Sequence, residues 1–240
     1  MHLYLHVPYC IAKCPYCDFN SIAGRDDEHA AYVEALVTEI RRLPRGPYAT
    51  VFIGGGTPTL LDHRLLGRLL AGLRGHIALT EDAEVTCEAN PGSADAARFA
   101  VLAEHGVNRI SLGVQSTHEH HLKRLGRVHG AAEAEAAIAL AKRTVPRVNA
   151  DLIAGLEGQT EAELNADLDL YRRHDLDHAS VYHLTYEPGT EFHALRERGI
   201  LHEIPAERSR ALLRHIGDCL ADLGLQRYET SNFARPGQAS

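Results

Sequence analysis

Short runs of alternating apolar and polar residues recur along the chain, each followed by a longer stretch with apolar residues three and four apart. In the first run Leu3, Leu5 and Val7 alternate with Tyr4 and His6, and Pro8 ends it, which predicts a strand. A helix is predicted over 26–43. There Ala31, Val33, Leu36, Val37, Ile40 and Leu43 fall on or near one stripe, and the acidic start suits the helix dipole. Pro44, Gly46 and Pro47 break it. The pattern then predicts strands at 50–56, 84–88, 109–115, 147–155 and 178–187. Helices are predicted near 60–74, 94–105, 130–143, 160–174 and 205–223. The final stretch, RYETSNFARPGQAS, carries neither pattern. Six strands joined by connections of crossover length argue an α/β fold with a parallel sheet and helices outside it. Six such units suit a partial (β/α)6 TIM-like barrel, and a flat doubly wound sheet is the alternative that the pattern does not separate.

Composition narrows the function classes. With 240 residues, 45% of them apolar, the chain can bury one large core. A formal charge of −7 without a basic block argues against nucleic acid as the partner. No apolar run has the length of a membrane span, and the N-terminus lacks a basic region followed by an apolar one, so a soluble, cytoplasmic protein is expected. Of the five cysteines, Cys10, Cys14 and Cys17 crowd together while Cys87 and Cys219 stand alone, which is not a disulfide framework.

The three crowded cysteines carry the chemistry. Their spacing, CxxxCxxC, lets three thiolates converge on one metal centre. A structural zinc normally takes four protein ligands, and nothing at zinc spacing completes the set. A 4Fe–4S cluster held by three cysteines keeps one iron without a protein ligand. Other candidates stand at successive strand ends. Gly54-Gly55-Gly56-Thr57-Pro58-Thr59 follows the second strand, where glycines allow close approach of backbone and amides can bind a ligand. Glu88 closes the third strand and can accept hydrogen bonds from an amine or ribose. Cys87, one residue earlier, points to the opposite face as a packing residue. Gln115 ends the fourth strand, Arg127 can fork onto a carboxylate, and Asp151 is an acid in an apolar strand that needs a partner or solvent. Sixteen histidines are present, with His118, His120 and His121 in one turn; most are expected to face solvent.

CxxxCxxC after a first strand resembles the radical S-adenosylmethionine (SAM) superfamily. The longer string YLHVPYCIAKCPYCDF is similar to its coproporphyrinogen dehydrogenase-like branch and, within that, to the HemW haem-chaperone group. The resemblance implies the partial barrel, with Cys10, Cys14 and Cys17 holding a 4Fe–4S cluster and SAM chelating the open iron. It implies that Gly55, Gly56 and Thr57 contact the methionyl part of SAM. Glu88, Gln115, Arg127 and Asp151 would lie around SAM, Tyr4 near the cofactor and Tyr16 beside the adenine. It further implies a haem-binding protein that delivers haem to acceptor proteins, with haem or a porphyrin as ligand. The rival within the branch is oxidative decarboxylation of coproporphyrinogen III; those enzymes usually carry a fourth cysteine two residues after the third, where this chain has Phe19. A structural zinc module on the same cysteines is the rival from another class. Glu157 stands where the family normally has proline, and a looser turn is expected there. The resemblance runs from Tyr4 to about Pro236. It implies a core domain over 1–225, with 226–240 the start of a further, truncated segment.

Overall fold

The structure, a computed structural model, describes residues 1–240. Two compact units are formed by interleaved segments. The first comprises 1–13, 19–111 and 139–147, and the second 14–18, 112–138 and 148–240.

In the first unit β1 (His2–Val7) leads through the short pair β2 (Tyr9–Cys10) and β3 (Ile22–Ala23) to α1 (His29–Ile40). Then come β4 (Tyr48–Gly55), α2 (His63–Arg74), β5 (Leu79–Ala89) and α3 (Ala96–Glu104). The first residues of β6 (Arg109–Gln115) close this unit. β4 lies between β1 and β5, parallel to both, with Tyr4 opposite Phe52 and Ile53 opposite Cys87. The strands alternate as their sequence does. Leu5, Val7, Val51, Ile53, Val85 and Cys87 are buried, while Tyr4, Phe52 and Glu88 share the opposite face. Asp62 caps α2 by accepting from the Arg64 and Leu65 amides, both at 2.8 Å. Gly72 lets that helix lie close to α1: a Cβ there would sit 2.9 Å from a Val37 methyl.

The second unit continues from Leu112 with α4 (Glu119–Arg124), the first part of α5 (Ala131–Thr144), β7 (Arg147–Ala154) from Val148, α6 (Glu161–Arg173) and β8 (His178–His183). It ends with α7 (Glu191–Glu197), α8 (Ala206–Asp222), β9 (Gln226–Arg227) and β10 (Asn232–Ala234). β7 and β8 are parallel, and β10 joins β8 antiparallel. α6 opens on a reciprocal cap, Thr160 and Glu163 each satisfying the other's backbone amide.

The six long strands stand where alternation predicts them, and the α/β class with parallel pairing holds in each unit. Three expectations are corrected. The final stretch is not featureless: β9 and β10 pair, and Phe233 is buried. Two short helices, α4 and α7, were unmarked because each buries only one or two residues, too few for a periodic signal. The turn at Glu157 is pinned rather than loose, since Arg124 ion-pairs with the Glu157 carboxylate and donates to its carbonyl oxygen.

Candidate cofactor site

In the first unit the glycine loop folds back onto the end of β1. The Gly56 amide donates to Val7 O (2.8 Å), the Thr57 amide to Tyr9 O (2.7 Å), and the Gly55 amide to Glu88 Oε2 (3.0 Å). Glycine is required at two of these positions. Gly55 has φ +119°, outside the range of most side chains. A Cβ on Gly56 would lie 2.6 Å from the carbonyl oxygens of both Pro8 and Tyr9. The expectation that these amides are open to a ligand is therefore corrected: all three are taken within the unit, and the strand-end carboxylate of Glu88 is held by the loop. Cys10 follows directly on this contact, with the Thr57 hydroxyl 3.8 Å from its sulfur. Tyr4 is exposed and stacks on Phe52 with ring centroids 6.0 Å apart. His6 lies between: Nε2 donates to Asn20 O (2.8 Å), which makes Nδ1 the acceptor from the Tyr4 hydroxyl (3.1 Å). Cys87 is fully buried on the other face, as its packing role requires, and burial pushes its thiol up.

In the second unit Cys14 and Cys17 share a turn closed by the Cys17 amide on Cys14 O (3.0 Å). Arg127 stands over it. Its Nη1 lies 3.5 Å from Cys14 Sγ and 3.4 Å from the Tyr16 hydroxyl, and its Nη2 donates to Gly113 O at 2.8 Å. Its Nε is buried without a partner. Tyr16 packs against a core of Leu125, Ile153, Leu156, Leu184, Tyr186, Phe192 and Leu201, and burial raises its hydroxyl pKa. Gln115 has φ +70° and sits at the centre of a three-residue turn closed by Ser116 N on Val114 O (3.0 Å), a strained conformation for a residue with a side chain. Asp151 accepts from Asn149 Nδ2 at 2.7 Å, which answers the need for a partner. Asn149 also donates to Ser180 Oγ (3.0 Å), accepts from His178 Nδ1 (2.7 Å), and His178 in turn meets the Tyr228 hydroxyl (2.8 Å). Tyr228 thus ties the last stretch of the chain to the Asp151 strand.

Sequence reasoning missed three supports of the Cys14–Cys17 turn. Gly126 has φ +65°, and a Cβ there would lie 2.6 Å from Pro15 Cδ. The Phe192 amide donates to Pro15 O (2.9 Å) and its ring lies 6.2 Å from Tyr16. His129, buried beneath Arg127, donates to Val114 O (3.2 Å); burial, then the Arg127 charge, lower its pKa to about 4. Only the glycine carried a signal in the sequence. The residues present fit an iron–sulfur cluster and a zwitterionic ligand in kind. Three thiols supply soft donors, and an orphaned guanidinium N–H is a ready donor to an anion.

Residues 4–171 match the Radical SAM superfamily. The haem chaperone HemW of Escherichia coli (strain K12) is 42% identical over 247 residues, covering 99% of this chain and 63% of the relative. The mitochondrial radical S-adenosyl methionine domain-containing protein 1 of Mus musculus is 38% identical, covering 99% of this chain and 55% of that protein. Among solved structures, the coproporphyrinogen III oxidase HemN of Escherichia coli, a radical SAM enzyme, superposes with a TM-score of 0.86. It is 28% identical and covers 99% of this chain and 56% of its own. The chain thus spans 55–63% of the length of these proteins and shares the fold of that stretch of the solved structure.

Proposed function

This chain belongs to the radical SAM superfamily, whose members use a 4Fe–4S cluster and SAM, and from that premise we propose that it acts in haem binding and delivery. Cys10, Cys14 and Cys17 hold the cluster. The observation that carries the assignment is their CxxxCxxC spacing inside the matched stretch 4–171. When bound, such a cluster supplies the electron that cleaves SAM to an adenosyl radical, chemistry that belongs to the cofactor.

The chain's own groups bind and orient. The loop Gly55–Thr57 has its amides occupied, and its Thr57 carbonyl accepts from the Leu60 amide at 2.9 Å, so the glycine carbonyl oxygens are the groups that suit the amino end of SAM. Arg127 brings a positive fork with one donor unspent and suits the carboxylate end. Tyr16 offers a ring face fixed by Phe192 and the hydrophobic core. Glu88, Gln115 and Asp151 line the strand ends around the ligand, and Tyr4 stands near the cofactor. The identity to haem chaperones favours haem, and acceptor proteins for it, over porphyrin oxidation; Phe19, exposed where the dehydrogenases carry a fourth cysteine, supports the same choice. Ligand thiolates need a reducing compartment, which supports the cytoplasm, and no helix is long and apolar enough to cross a membrane.

Anaerobic purification with iron and sulfide analysis, followed by titration with haem, tests this reading. Four irons per chain and a shifted haem absorption band are expected. Zinc in place of iron would return the cysteines to a structural role. Protoporphyrinogen formed from coproporphyrinogen III with SAM and dithionite would assign the chain to the oxidases instead.

A further inference from the structure

The turn from β6 into α4 brings together a second group of metal-type donors, all within the second unit and separate from the cysteines. His120 and His121 lie side by side on α4, with ring centroids 4.0 Å apart. Glu163, in the first turn of α6, faces both. Its Oε1 lies 3.1 Å from His120 Nε2 and its Oε2 lies 3.5 Å from His121 Nε2. One donor atom from each of the three residues falls within 4.8 Å of the others.

Two further observations turn this proximity into a site. His121 is 2% exposed, yet its Nδ1 has no hydrogen-bond partner and its Nε2 meets the Glu163 carboxylate only at 3.5 Å. A buried imidazole left so is rare and calls for a missing partner. Glu163 is also held in place from behind, since its Oε2 accepts from the Thr160 amide and hydroxyl, both at 2.8 Å. Oriented ligands of this kind are what a metal site needs. A tetrahedral zinc with bonds of about 2.0–2.1 Å needs donors about 3.3 Å apart; each ring nitrogen meets a different Glu163 oxygen near that distance, and one donor per residue falls within 4.8 Å. His118, in the same turn, is excluded because its Nε2 is committed to Glu163 O at 3.1 Å.

We propose that His120, His121 and Glu163 form a second metal site of the two-histidine, one-carboxylate type, taking zinc or a similar divalent cation. The fourth position faces solvent on the His120 side, where that ring is exposed, so the ion keeps a water or takes an exchangeable ligand.

The test uses the cluster-loaded chain and Zn2+ alone. The protein is incubated with a small excess of zinc, desalted, and its zinc and iron measured together. One zinc per chain with iron unchanged is expected. X-ray absorption at the zinc edge should show only nitrogen and oxygen at about 2.0–2.1 Å. His120→Ala should weaken retention at least about tenfold, in line with losses seen at metal sites, and Glu163→Gln should do the same. His120 is exposed, so its variant tests binding even where Glu163→Gln, which also touches a helix cap, fails to fold. His215→Ala, elsewhere on the surface, should retain the zinc. No zinc retained, a sulfur shell at the zinc, zinc gained only as iron is lost, or equal retention by His120→Ala would each overturn the proposal.

Discussion

The glycine loop of the first unit and the arginine turn of the second each hold a cysteine, and they do so by opposite means. Cys10 is set by backbone. Val7 and Tyr9, just before it in the chain, are clasped by the Gly56 and Thr57 amides, and the neutral Thr57 hydroxyl lies 3.8 Å from its sulfur. Cys14 is set by side chains. A guanidinium whose Nε is buried lies 3.5 Å from its sulfur, beside Tyr16 and coupled to the buried His129. Backbone clasps are insensitive to pH and salt but tolerate no added atom. A buried charge tolerates some change of shape, but it couples the thiol to every titrating group around it. The two cysteines should therefore fail under different insults.

The largest effect tests whether both matter equally. Cys10→Ser and Cys14→Ser should each abolish the iron chromophore, while Cys87→Ser should keep it; iron and sulfide analysis reads the result. Next, Gly56→Ala forces a methyl to within 2.6 Å of two carbonyl oxygens. It should cost about 3 kcal/mol, the upper end for overpacking, measured by urea unfolding; a wild-type midpoint would mean the loop yields. Arg127→Ala should leave iron content intact and weaken SAM by about 1.5–3 kcal/mol, the worth of a charge-assisted bond. Unaltered SAM affinity by calorimetry would remove Arg127 from the ligand's contacts.

The pH dependence sharpens the contrast. His129 has a folded pKa of about 4 against about 6.5 unfolded. The unfolded chain therefore binds the proton first as pH falls. The stability linked to this residue is complete above pH 6.5 and is lost as pH drops from there toward 4. Between pH 7 and pH 5 the loss should reach about 2 kcal/mol, and His129→Gln, which keeps a donor for Val114 O, should flatten that slope. The smallest effect is at Gln115. Replacing it with glycine should relieve its +70° φ and stabilise the fold by about 1 kcal/mol, unless the side chain is itself a ligand, in which case SAM affinity falls as stability rises.

The two cysteine settings also differ in how far they could be read from the sequence. The loop at Cys10 is local: glycines after an alternating run announce a strand end, and CxxxCxxC announces the ligands. What the sequence could not convey was that the loop amides are consumed by Val7, Tyr9 and Glu88, because those partners depend on strand register. The turn at Cys14 depends on contacts 112 and 113 residues away, at Gly126 and Arg127, and on Phe192 in a helix that buries a single side chain. Arg127 was legible as a cation but not as a neighbour of sulfur. The histidine turn shows the same limit. Most of the sixteen histidines read as solvent-facing, yet of two neighbours on one short helix His121 is buried while His120 is not. The final stretch went unread because strands of two and three residues are below any periodic signal.

The clasp of Gly56 and Thr57 on the end of β1 has a consequence in time as well as in space. Glycine-rich loops are normally among the first segments to open and exchange their amide hydrogens. Here the amides of Gly55, Gly56 and Thr57 are bonded to a carboxylate and two main-chain oxygens, and Thr57 is nearly buried. They should exchange on the slow timescale of the strand that precedes them. A ligand arriving at this loop meets a surface already in place, so little ordering accompanies its capture, and the rate of capture should follow diffusion rather than loop closure.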